Sequence, residues 1–165
     1  MQHTTISPRL SDLPAQARVW VYKSAVPFSS AQQALIRERG ADFTRTWAAH
    51  GAPLAAVLEV RNDHFVVLGT DPRQALASGC SIDASVQFIQ QLEKELGLVL
   101  TDRMVVLYEK NGVVRSCRVP EVEALIKQGE LGPETIVFDD LVTTKADLDA
   151  RFRTPLVRSW MARYI

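Results

Sequence analysis

The chain has 165 residues, 47% apolar and 23% charged, with 19 Lys plus Arg against 19 Asp plus Glu. That length suits one domain and that composition an ordinary globular one. A formal net charge of zero argues against a dedicated nucleic-acid binder, which needs surplus cation for phosphate, and no apolar run approaches the roughly 20 residues that cross a bilayer.

Residues 1–14 read as a flexible N-terminal arm closed by Leu13-Pro14. Arg18 to Lys23 alternates and is rich in β-formers, which predicts a first strand with Trp20 and Tyr22 on one face and Val19 and Val21 on the other. Ser30 to Gln33 fits a capping box. Ile36, Gly40, Phe43 and Trp47 then share one helical face, predicting a helix to about Ala49 with Gly51 as its stop. Gly40 inside that helix points to a close approach between helix and sheet.

The apolar runs 54–60 and 64–70, joined by Arg61-Asn62-Asp63, predict a hairpin. A turn at Asp71-Pro72 follows. Ser81 or Asp83 can cap a second helix that carries Val86, Ile89, Leu92 and Leu96 and stops at Gly97. Asn111-Gly112 predicts another hairpin between 104–109 and 113–119, because a type I′ turn needs positive φ twice. Pro120 suits the first turn of a short helix ending at Gly129. Thr135 to Phe138 reads as a short strand, Thr144 with Asp147 as a helix start, and Thr154-Pro155 as the start of a last helix carrying Trp160.

The first 110 residues thus run β-α-β-β-α-β. The expectation is an α+β fold with a ferredoxin-like core: helices on one face of a mainly antiparallel sheet, an added hairpin strand, and an α-rich C-terminal extension. Residues 15–165 form a single domain in this reading.

The segment Gly79-Cys80-Ser81-Ile82-Asp83 places a thiol beside a predicted helix N-terminus. Unpaired amides and the helix dipole favour an anion there, either a thiolate at Cys80 or a ligand on Ser81 to Asp83. Asp83 competes for the same donors, and the plainer reading makes Cys80 a small packed residue behind a capped helix. His50, in Trp47-Ala48-Ala49-His50-Gly51, sits at a predicted helix C-terminus and would act as base if the fold brought it to Cys80. The catalytic candidates are therefore Cys80 and His50, and the ligand-binding candidates are Ser81, Asp83 and Trp47.

Arg151, Arg153, Arg158 and Arg163 interleave with Phe152, Trp160 and Tyr164. The pattern suits single-stranded nucleic acid, but Asp147 and Asp149 dilute its charge. Arg158, Trp160 and Arg163 fit a protein-partner contact better, since Trp and Arg are enriched at binding hot spots. His3, His50 and His64 and the two cysteines show no metal-ligand spacing, and nothing calls for a cofactor. Asp139-Asp140 reads as a turn that could bind a cation. Met1 to Ser11 is polar, without the apolar core of a signal peptide, so the expectation is a cytoplasmic protein with free thiols.

Arg18-Val19-Trp20, Trp47 to Gly51, Gly79 to Val86, and Thr135 to Phe138 with Leu141-Val142 resemble a family of short bacterial proteins found chiefly in Bacteroidetes. The resemblance covers most of the chain from Arg18 and implies no established activity. Members often carry the name "ABC transporter ATPase", which these residues do not support. No two of the eight glycines are five apart, so a Walker A loop cannot be written. Rossmann, nucleophile-elbow and zincin patterns are also missing. The function expected is a binding or regulatory domain acting on a protein partner or small ligand, with homo-oligomerisation open. The alternative is a thiol-dependent enzyme or redox sensor built on Cys80 and His50.

Overall fold

The computed structural model describes residues 9–73 and 75–165. Its elements follow cap and turn chemistry closely. Strand β1 (Arg18–Lys23) leads to helix α1 (Ser30–Thr46). Ser29, one residue earlier than expected, caps α1: its hydroxyl accepts from the Gln32 amide, and the Gln32 side chain accepts from the Ser29 amide. Helix α1 stops short of Ala49, because Trp47 leaves it in extended conformation. The chain then turns through a minimal hairpin, β2 (Ala48–Ala49) and β3 (Ala52–Pro53). His50 and Gly51 form its tip with φ of 51° and 77°, so His50 is a turn residue and not a helix terminus.

Strands β4 (Ala55–Arg61) and β5 (Phe65–Asp71) pair across Asn62 and Asp63, both with positive φ. Helix α2 (Gly79–Leu96) ends at Gly97, whose φ of 67° suits glycine. Strands β6 (Val105–Lys110) and β7 (Val113–Arg118) close around Asn111-Gly112, as the turn rule requires. Beyond them lie α3 (Val122–Lys127), β8 (Ile136–Phe138), α4 (Lys145–Arg151) and β9 (Arg153–Pro155). Trp160 stands in a 3-10 turn, Trp160–Tyr164, and Thr154-Pro155 belongs to a strand. The C-terminal part is therefore mixed, not α-rich.

The fold is α+β with antiparallel sheets. One sheet has the order β1-β5-β4, and a second has β7-β6-β8-β9. The first three strands of the expected motif are thus arranged as a split βαβ unit would have them. The fourth, β6, does not join β1, so the four-stranded ferredoxin-like core is corrected. The free edge of β1 is already occupied: Val19 donates to the Thr143 carbonyl, Lys23 to the Leu100 carbonyl, and Arg18 bridges to Thr144. An edge satisfied by loops offers no ladder to another strand.

Four layers result. Helices α1 and α2 cover one face of the first sheet through Ile36, Val66, Ile89, Leu92 and Leu96. Its other face meets the second sheet through Val19, Phe65 and Val67 against Val105, Leu107, Phe138 and Phe152. Helix α3 and the C-terminal turns cover the far face of the second sheet. Strand β5 is buried at every residue, which explains its unalternated apolar run. Leu10 and Leu13 belong to the core between the sheets, so these two side chains anchor residues 9–14, which are not a loose arm; residues 1–8 lie outside the described residues. Gly69 makes that packing possible, since a Cβ there would stand 2.7 Å from a Leu10 methyl and 2.9 Å from one of Leu13. Gly40 likewise lets α1 lie against Leu58 of β4. Among the described residues, no helix is long and apolar enough to cross a membrane.

Candidate functional site

Helix α2 begins one turn earlier than Ser81 or Asp83 would set it. Ser78 is the cap: its hydroxyl accepts from the Ser81 amide, and the Ser81 hydroxyl oxygen accepts from the Ser78 amide at 2.7 Å. The helix start is therefore occupied by its own capping box. Ser81 is buried as the third helical residue, Asp83 is exposed within the helix, and neither is a cap. Cys80 is exposed, not packed, while Cys117 is buried.

The segments around Trp47 and Cys80 do come together. Trp47 is only 3% exposed and donates its indole N–H to the Ser81 carbonyl at 2.8 Å. It lies edge-on to Trp20 and beside Phe43. Buried in this way, Trp47 fixes the junction of α1, β1 and α2 and offers no face to a ligand. His50 is exposed at the hairpin tip, and no hydrogen bond joins it to Cys80 among the described residues. The thiol–imidazole pair required for an activated nucleophile is not formed.

Burial pushes the Cys117 thiol up to about 11, with the Glu121 carboxylate adding to the effect. Alkylation with iodoacetamide near neutral pH should consequently modify Cys80 alone in the native protein, and both thiols after unfolding in urea. Mass spectrometry of the alkylated chain checks this. Two modifications in the native state would contradict the burial of Cys117.

A marked concavity lies elsewhere. A cleft of about 770 Å³ opens between the end of β1 (Val21 to Lys23), α2 (Val86, Ile89), residues 100–103, Asp140-Leu141 and the C-terminal turn. Helix α2 faces it in an unexpected way. The buried stripe runs Ser81, Ser85, Ile89, Leu92, Leu96, so small serines take the places next to Trp47 and Tyr22. Val86 is displaced to the cleft wall and is 41% exposed. The Ser85 hydroxyl donates to the Ile82 carbonyl, and its side chain meets the Tyr22 hydroxyl. Burial raises the Tyr22 hydroxyl above its ordinary range, and the contact with Ser85 opposes that rise.

Charge in the cleft is uneven. The Lys23 side chain, 9% exposed, donates to Asp140 at 2.6 Å. Asp102 accepts from the Met104 amide and from Arg118, each at 2.9 Å, and these hold its carboxyl below the usual range. Both cleft carboxylates are thereby committed. Arg163 lies over the rings of Trp160 and Tyr164, at 5.5 and 5.1 Å from their centroids. Arg103 is exposed. Neither guanidinium has a carboxylate partner among the described residues.

The C-terminal cluster divides. Trp160 and Arg163 line the cleft, but Arg158 is not part of it. Trp160 is half-buried against the C-terminal core and does not project as an anchor. Arg151 pairs with Asp139 and Asp147, and Arg153 pairs with Glu109, so half of the supposed basic tail is neutralised. Asp139 and Asp140 bind arginine and lysine, which leaves no open cation site at that turn. No group of three or more His, Cys, Asp or Glu side chains that could hold a metal occurs among the described residues. Lys23 and Arg103 were missed because each is ordinary in its own stretch of chain, while Tyr22 was read only as a strand-face residue and Asp140 only as a turn that could bind a cation.

Comparison of the chain with protein-family models, with curated proteins and with solved structures found no match.

Proposed function

We propose that this chain is a binding domain for a small molecule, and that the cleft between α2, the end of β1 and the C-terminal turn is its site. The cleft itself carries the reading. Its volume falls within the roughly 300–1,000 Å³ usual for small-molecule sites, and it joins an apolar floor to a few polar groups. Val21, Val86, Ile89, Leu100, Val119 and Leu141 supply the apolar surface.

Two features favour a small molecule over a protein partner. Trp160 and Arg163 line a concave wall, whereas protein hot spots anchor into a partner's pockets. Arg158, the third member of the supposed contact, stands outside the cleft. The thiol-enzyme alternative has only an exposed Cys80 to support it.

The neutral fluorophore N-phenyl-1-naphthylamine tests the site without presuming a head group. Its emission should rise saturably with one equivalent of protein. Val86→Arg places a charge on an exposed wall position, where the fold tolerates it, and should weaken the probe by about tenfold or more, since burying an unpaired charge costs several kcal/mol. An unchanged melting temperature confirms that the variant is folded. No saturable signal, or equal binding by Val86→Arg, would refute the cleft as a ligand site.

A further inference from the structure

Resting on that reading, we infer that the ligand is an amphiphilic acid: an apolar body that ends in one carboxylate or phosphate group. The inference comes from what the cleft leaves unsatisfied. Five charged side chains line it: Lys23, Asp102, Arg103, Asp140 and Arg163. Asp140 is held by Lys23 and Asp102 by Arg118. A cationic ligand or a divalent metal would have to displace one of these ion pairs. An anion displaces nothing, because Arg103 and Arg163 have no carboxylate partner among the described residues.

Arg163 is suited to the task. Its guanidinium lies beside the Trp160 and Tyr164 rings, 5.5 and 5.1 Å from their centroids, which places its fork of N–H donors at the cleft for a planar or tetrahedral anion. One N–H donates to the Tyr164 hydroxyl at 3.3 Å, fixing the fork while other donors stay open. Tyr22 also lines the cleft and, protonated at neutral pH, adds no competing charge. The apolar walls on Val86, Ile89 and Leu141 then take the body of the molecule, as a charged head alone would leave that surface wet.

Displacement of N-phenyl-1-naphthylamine from the full chain by decanoate, decyl phosphate and decanol separates head group from body. At low salt the acids should displace the probe about tenfold or more better than the alcohol, the usual strength of one charge-assisted hydrogen bond. The better of the two acids identifies the head group. The advantage, read as the ratio of acid to decanol displacement within one protein, should vanish in Arg103→Gln/Arg163→Gln, two exposed positions. Equal displacement by decanol, or an acid preference that survives the double variant, overturns the inference and leaves the cleft reading intact. A probe that never binds wild-type protein defeats both.

Discussion

Replacing Trp47 with alanine should lower the free energy of unfolding by roughly 3–5 kcal/mol, the usual range for removing a fully packed aromatic. The ring is buried against Trp20 at 5.6 Å and Phe43 at 5.0 Å between centroids, and Phe43 stacks in turn on Phe88 of α2. The indole N–H also satisfies the Ser81 carbonyl. Trp47→Ala therefore empties a cavity and removes a buried hydrogen bond together. Trp47→Phe keeps most of the ring contact and loses the donor, so it should cost about 1–2 kcal/mol. Urea unfolding of both variants checks the pair. A loss under about 1 kcal/mol for alanine would mean that α1, β1 and α2 do not meet at this side chain.

Phe65→Ala should be as severe, again by roughly 3–5 kcal/mol, for a different reason. Phe65 is 0% exposed on β5 and faces the second sheet. Its ring centroid lies 5.1 Å from Phe138 and 4.9 Å from Phe152. The three rings join one sheet to the other, so the loss should reach layers that Phe65 does not touch. Cys117, buried on the far side of the second sheet, reports on this. Its alkylation under native conditions should accelerate in Phe65→Ala by the factor that corresponds to the stability lost in urea, if the layers unfold as one cooperative unit. A large urea shift with unchanged Cys117 protection would show that the two sheets unfold separately.

Much of the local structure was legible in the residues. Asn111-Gly112 specified its hairpin because few other pairs accept positive φ twice, and Gly97 stopped α2 for the same reason. The alternation of Arg18 to Lys23 also predicted its faces: Val19 and Val21 pack toward the second sheet, Trp20 and Tyr22 toward the helical side. The start of α2 was less legible. Ser78, Ser81 and Asp83 are all competent caps, and local chemistry does not rank them. Packing decided, because Ser81 and Ser85 are small enough for the buried stripe beside Trp47 and Tyr22, and that phase sends Val86 out to the cleft.

The candidate site divides along the same line. Trp160 and Arg163 stood out as an aromatic and a guanidinium close together in the chain. Lys23 and Arg103 gave no signal, Tyr22 read only as one face of a strand and Asp140 only as a turn that could bind a cation, since these segments lie far apart in sequence and carry no motif spacing. His50 and Cys80, which did give a signal, turned out to be a hairpin tip and an exposed helical residue.

The amino-acid sequence by itself determined the Asn111-Gly112 turn, the stop of α2 and the strands β1 and β4 to β8, because those depend on φ preference, capping groups and apolar period within a few residues. Only the tertiary structure decided that β6 leaves the first sheet and that a cleft opens beside β1. A strand edge is satisfied equally well by a ladder or by the carbonyls of Leu100 and Thr143. The choice between them depends on burying Phe65, Phe138 and Phe152 together, a contact between residues too distant in the chain for any local pattern to encode.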